Sequence, residues 1–192
     1  MPLSASVSRE LFHTRTLDIK GYRRADGLWD IEGHLTDVKP FAYDVTEQYR
    51  AAGEPVHEMW LRLTIDEALL IHAAEAVTEK GPYRMCPEIA PNFANLAGIR
   101  IGPGWIKAIR QRVGGARGCT HLVEMLGQLG TAAMQTLWPV VVQKELTSAT
   151  RAMPPGLLNS CHTYAADSPV VQALYPDSYQ PKAAGAVAKA GA

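Results

Sequence analysis

Residues 56–66 alternate between apolar and polar side chains, and this pattern restricts the fold more than any other part of the chain. Met59, Leu61, Leu63 and Ile65 fall on one face of an extended strand, and Trp60, Arg62 and Thr64 fall on the other. A sheet with one apolar face must bury that face against another layer of the protein. We therefore expect helices to cover the face that carries Met59 and Leu61.

The predicted strands precede the predicted helices along the chain. Alternation predicts further strands over 13–19, 28–38 and 69–78, with a hairpin turn at Asp26-Gly27 between the first two. Helical periodicity predicts helices over 86–96, over 105–113 and from 119 through 134 or further, and Pro139 is expected to kink the last one or begin a new segment. Ser168 and Pro169 read as the start of a short helix. This order predicts an α+β fold in which an antiparallel sheet from the N-terminal half is packed by helices from the C-terminal half.

The length of 192 residues fits one domain, which we place over 8–178. Residues 179–192 are mostly Ala, Gly and Lys, which form no core, and a disordered tail is expected there.

Charge and hydropathy exclude several classes of partner. The 19 basic residues balance the 19 acidic residues, so the overall charge does not indicate binding to nucleic acid or to an anionic membrane. No stretch has the roughly 18 apolar residues that a spanning helix needs, and the N-terminal residues lack a secretory signal pattern. We expect a cytoplasmic protein that acts on a small molecule, without nucleic-acid or membrane partners, and that can form a homo-oligomer.

The residues that can carry chemistry lie at the predicted starts of elements. Cys119 and His121 occur in Gly-Cys-Thr-His-Leu at a helix start, where the aligned peptide groups favour a thiolate. Cys86 opens another helix, and His57 opens the strand on its inward face. The sequence therefore predicts a site in which His57, Cys86 and Cys119 bind a divalent metal, zinc or iron, with His121 or Glu58 as general base.

Structural alternatives exist for each of these residues. Isolated cysteines are commonly small hydrophobic core residues, and a histidine at a strand end can simply be hydrogen-bonded. Glu58 alternates to the outward face unless the strand bends.

Three other sets of polar residues carry less specific predictions. Cys161-His162 is interpreted as an anchor of the C-terminal segment or as part of the same pocket. His13 and Arg15 are candidates for an anion clamp. Asp30, Glu32 and His34 share a strand face that is interpreted as solvent-facing.

Two resemblances add to these observations. Segments 27–35, 59–66 and 102–105, together with Gly118-Cys119-Thr120-His121-Leu122, resemble a bacterial family named domain of unknown function 2889, over about residues 8–178. The order of strands and cysteine-initiated helices is remotely similar to the NifU/IscU-type iron–sulfur scaffold fold. That similarity implies that His57 and Glu58 occupy the first ligand region, Cys86 the second and Cys119 the third, although the first region of this chain has no cysteine.

Three functions are compatible with this sequence. The first is a small enzyme of bacterial small-molecule catabolism that uses the Cys/His site in a metal-dependent or thiol-dependent way. The second is a metal or iron–sulfur carrier without turnover, and the third is a non-catalytic helper subunit with inert thiols.

Overall fold

The computed structural model describes residues 3–45, 47–146, 151–154 and 156–182. The chain divides into two compact units, Met1–Leu137 and Trp138–Ala192. The expectation of one domain over 8–178 stays a prediction. Most of the predicted tail, residues 183–192, lies outside the described residues.

A four-stranded antiparallel sheet forms the first layer of the first unit. Its strands are β1 (Thr14–Arg23), β2 (Trp29–Val38), β5 (Pro55–Ile65) and β6 (Ile71–Lys80), in the order β1-β2-β5-β6. Two short strands, β3 (Tyr43–Val45) and β4 (Gln48–Arg50), form a separate hairpin. Gly27 has a φ of 87° in the β1–β2 turn, a left-handed conformation that glycine adopts without steric penalty. The predicted antiparallel sheet and its Asp26-Gly27 turn are confirmed.

The helices follow the sheet in the chain, as predicted. Helix α1 spans Trp105–Val113 and helix α2 spans Thr120–Leu146, while Cys86–Leu96 and Gly115–Arg117 are 3₁₀ helices. Cys86–Leu96 contains Pro91, whose missing N–H and bulky ring oppose regular α-helical hydrogen bonding. Pro139 lies inside α2 and does not begin a new segment, which corrects one of the two outcomes expected at that residue.

The second unit contains helix α3 (Pro169–Leu174) and the 3₁₀ helix Pro176–Ser178. Ser168 caps α3 as predicted, because its side-chain oxygen accepts a hydrogen bond of 3.1 Å from the backbone N–H of Val171.

Helix α2 packs against the inner face of β1 and β2 because two glycines let it approach. A Cβ atom on Gly33 would lie 2.8 Å from Leu129, and a Cβ atom on Gly21 would clash with Thr136. The core between these layers contains fully buried Ile31, Leu61, Leu63, Leu126 and Leu129. This packing places the first turn of α2 at the edge of the sheet where β1 begins and β2 ends.

Among the described residues, no helix combines the length and the apolar character needed to cross a lipid bilayer.

Candidate active site at the start of helix α2

A buried carboxylate stands at the end of β2. Asp37 alternates onto the inner face of the strand with Leu35, and its side chain is only 4% exposed. Its Oδ1 accepts hydrogen bonds of 2.8 Å from His13 Nε2 and from Arg15 Nε. Its Oδ2 accepts from Arg15 Nη2 at 2.8 Å and from His57 Nδ1 at 3.0 Å. Both carboxylate oxygens are therefore fully engaged with protein donors.

These contacts keep Asp37 ionised. Burial alone would raise the pKa of its carboxyl group, but the hydrogen bonds from Arg15 and His13 and the charge of Arg15 lower this pKa to about 2. An ionised carboxylate can only accept hydrogen bonds, so Nδ1 of His57 must carry the proton in their contact. In the neutral His57 ring, Nε2 is then the unprotonated nitrogen.

Two histidine rings meet beside this carboxylate. The centroids of the His57 and His121 rings lie 3.9 Å apart, and His121 Nε2 is 4.0 Å from Asp37 Oδ2. Burial and the nearby positive charge of His121 lower the pKa of His57, and these effects outweigh the opposing attraction of Asp37. These effects therefore favour the neutral form of His57.

Cys119 immediately precedes α2, and its carbonyl oxygen accepts a hydrogen bond of 2.9 Å from the N–H of Val123. The residue before it, Gly118, has no space for a side chain, because a Cβ atom there would clash with the Val113 carbonyl oxygen. The Cys119 Sγ atom lies 3.8 Å from His121 Nδ1. Local sequence thus fixes a thiol at a helix N-terminus beside an imidazole.

The thiol and the imidazole favour each other's charged form. Burial raises the pKa of the Cys119 thiol, but its hydrogen bonds with His121 and with the backbone N–H groups of Leu122 and His121 lower it overall. The hydrogen bond to Cys119 in turn raises the pKa of His121, against the effect of burial. Each group therefore stabilises the charged form of the other, the thiolate of Cys119 and the imidazolium of His121.

A cavity of about 570 Å³ opens beside this pair. Its size lies within the range of small-molecule sites. Most of the cavity wall consists of apolar and weakly polar side chains: Met59, Pro82, Tyr83, Met85, Cys86 and Ile89. His57, Cys119 and His121 of the site also line the cavity.

The sequence places this site within a known family. The family model described as protein of unknown function, DUF2889, matches residues 13–135, nearly two thirds of the chain. The chain belongs to the DUF2889 family. The DUF2889 region contains every residue that forms the site: His13, Arg15, Asp37, His57, Cys119 and His121. Cys161 and His162 lie outside this region. Comparisons with curated proteins and with solved structures gave no match.

Four of the five site residues predicted from the sequence line one cavity in the DUF2889 region: His57, Cys86, Cys119 and His121. Glu58 is not brought to them. It lies on the outer face of β5, where its Oε1 is 3.2 Å from Nε2 of His34. The other predicted cysteine–histidine pair begins with Cys161, which is exposed on the second unit.

Sequence reasoning missed Asp37, which organises the site. The signal was its position on β2: Asp37 shares the parity of Ile31 and Leu35, so an ionisable group stands on the apolar face. His13 and Arg15, predicted as an anion clamp, both bind this carboxylate.

Three side chains of the DUF2889 region meet the spacing of a metal site. Asp37, His57 and His121 each offer one ligand atom, and these atoms lie within 4.8 Å of one another. Within the described part of the chain, no other group of three or more potential ligands meets this spacing. Neither Cys86 nor Cys119 belongs to the group.

Proposed function

We propose that this DUF2889 protein is a thiol-dependent enzyme in which Cys119 attacks a small molecule bound in the adjoining cavity. The observation that carries the proposal is the contact of 3.8 Å between Cys119 Sγ and His121 Nδ1 at the start of α2. An adjacent imidazole and a helix N-terminus are the two features that activate catalytic cysteines.

The cavity supports a substrate rather than a purely structural thiol. Cys119 is only partly buried and lines a space of about 570 Å³, so a ligand of moderate size can reach the sulfur. An inert cysteine is instead enclosed by hydrocarbon and keeps an ordinary or raised pKa. A role in cytoplasmic small-molecule catabolism of bacteria belongs to this proposal, and a reducing compartment would keep the Cys119 thiol from forming a disulfide.

Alkylation of Cys119 tests the proposal. We expect iodoacetamide to modify Cys119 with a pH midpoint below about 8.5, the ordinary value for cysteine, because His121 and the helix start stabilise the thiolate. Mass spectrometry of the digested full-length protein at several pH values measures the rate at each cysteine separately. His121→Gln is expected to move the Cys119 midpoint upward.

Cys161 supplies the internal control, because it is exposed and is alkylated in the same sample. The proposal is wrong if Cys119 reacts more slowly than Cys161 near neutral pH, or if His121→Gln leaves its pH profile unchanged.

Metal dependence is the second candidate, favoured by the spacing of Asp37, His57 and His121. One carboxylate and two imidazoles suit zinc or iron. Two facts favour the thiol over the metal: both Asp37 oxygens already accept two hydrogen bonds each, and the Arg15 cation is one of the donors. A divalent ion at Asp37 would have to displace some of these donors and tolerate the adjacent positive charge.

Elemental analysis separates the two candidates. For the thiol enzyme, we expect less than about 0.1 zinc or iron per chain after purification, because a resident structural or catalytic metal binds near stoichiometrically. Pretreatment with a chelator should leave the alkylation profile of Cys119 unchanged. One metal per chain in the wild type, lost in His57→Gln, would favour the metal enzyme or the metal carrier, including a carrier of the NifU/IscU type.

A further inference from the structure

We infer that the site hydrolyses activated acyl compounds, esters or thioesters, and that His57 is the general base for the water that releases the acyl group from Cys119. This inference rests on the proposed function, since it takes the Cys119 nucleophile as its starting point. It adds a reaction class, a substrate class and a role for His57.

The two histidines face different partners. Nδ1 of His121 lies 3.8 Å from the Cys119 sulfur, whereas Nδ1 of His57 lies 3.0 Å from the Asp37 carboxylate, and the two ring centroids are 3.9 Å apart. Two imidazoles held beside a thiol and a carboxylate in this way can supply an acid and a base to the same substrate. Hydrolysis through an acyl-enzyme needs both, an acid for the leaving group and a base for water.

Asp37 holds His57 in the form that a base requires. Its ionised carboxylate accepts a hydrogen bond of 3.0 Å from Nδ1–H of His57, so Nε2 carries the free lone pair. Among the described residues Nε2 has no hydrogen-bond partner, and the His57 ring lines the cavity that Cys119 also lines. Arg15 and His13 fix the carboxylate from its other sides. Asp37 is therefore a positioning residue, and His57 can act on a water molecule in the cavity.

The reaction balances in two steps. In the first, the Cys119 thiolate forms a bond to the acyl carbon, the bond to the leaving group breaks, and the His121 imidazolium gives that group a proton. In the second, Nε2 of His57 takes a proton from water, the water oxygen bonds to the acyl carbon, and the bond to sulfur breaks. A carboxylic acid leaves and the thiolate is restored. The proton then passes from His57 to the adjacent His121.

The cavity wall indicates the acyl group. Met59, Tyr83, Met85 and Ile89 provide mainly apolar contact, and Glu88 is the acidic residue among the lining side chains. An apolar acyl chain would gain free energy by removing this surface from water, whereas a carboxylate-bearing chain would meet Glu88. The substrate class is therefore an ester or thioester of an apolar acid.

A burst experiment with p-nitrophenyl acetate tests the inference on the full-length protein. Wild type is expected to release nitrophenol in a burst followed by steady turnover. In His57→Gln the burst amplitude should remain, while the steady rate falls by about 100-fold, the usual contribution of a general base. Mass spectrometry of the quenched variant should find acetyl groups on Cys119, and hydroxylamine should remove them because it needs no base.

His34→Gln is the matched control. His34 also pairs with a carboxylate, Glu58, but on the outer face of the sheet, so this variant should show the wild-type burst and steady rate. Asp37→Asn provides a second probe that leaves the His57 ring in place. It should accumulate the same acetyl-enzyme, because the amide no longer fixes the Nδ1 proton.

Two results would overturn the inference and leave the proposed function standing. One is an acetyl-enzyme that His57→Gln hydrolyses at the wild-type rate. The other is a Cys119 that iodoacetamide modifies rapidly but the ester never acylates, which would leave the nucleophile proposal standing and remove only the acyl chemistry. A Cys119 that neither reagent modifies would contradict both.

Discussion

Replacing Cys119 by Ser is expected to lower the turnover of p-nitrophenyl acetate at least about 1,000-fold, because a serine hydroxyl beside His121 stays protonated near neutral pH. The substitution removes one sulfur and leaves the helix start intact, since serine is a preferred residue at that position. A loss of turnover of this size would therefore result from the missing nucleophile and not from unfolding. Steady-state nitrophenol release, with circular dichroism of each variant, is the measurement.

Cys86→Ser and Cys161→Ser are the controls for this experiment. Cys161 is exposed on the second unit, and its replacement should leave the rate unchanged. Cys86 lines the same cavity as Cys119. The rate of Cys86→Ser therefore shows whether Cys86 is a second reacting thiol or only a residue of the cavity wall. If Cys119→Ser keeps more than a tenth of the wild-type rate, another group carries the ester hydrolysis.

The fold followed from local patterns, because each pattern reports a local cause. Alternation over 56–66 marks a strand with one buried face, and the structure buries Met59, Leu61 and Leu63 there. Gly102-Pro103-Gly104 and Gly114-Gly115 mark the ends of α1, which spans Trp105–Val113 as predicted. The 3₁₀ form of Cys86–Leu96 was not predicted, because helical periodicity does not separate it from an α-helix.

The sequence predicted the site residues only where a cysteine or a histidine lies near the start of a strand or helix. His57, Cys86, Cys119 and His121 all open elements, and the layered fold brings element starts to common edges. The partner of His57 could not be chosen from spacing alone, because Asp37 lies 20 residues away and pairs with it through the β2–β5 register. Glu58, the alternative general base predicted from the sequence, lies on the other face because strand side chains alternate, and it contacts His34 there.

Removing the carboxylate of Asp37 should produce the largest loss of stability in this region. Asp37→Ala leaves Arg15, His13 and His57 without their shared acceptor, and breaking a buried ion pair of this kind costs about 3–5 kcal/mol. Arg15 is 39% exposed and recovers part of its solvation, so we expect a decrease of about 2–3 kcal/mol in the free energy of unfolding. Urea unfolding at pH 7, followed by circular dichroism, measures this change.

Asp37→Asn shows how much of that stability depends on charge. The folded pKa of Asp37, about 2, lies below the unfolded value of about 3.9, so its stabilisation is present above pH 4 and is lost as the pH falls through 2. The difference in stability between wild type and Asp37→Asn should therefore shrink between pH 4 and pH 2. Asp26→Asn, in an exposed pair with Arg24, should unfold at nearly the wild-type urea concentration throughout. If the difference in free energy of unfolding between wild type and Asp37→Asn is the same at pH 2 as at pH 4, the charge of the carboxylate does not stabilise the fold. Side-chain packing would then account for the stability of β2 against β1 and β5.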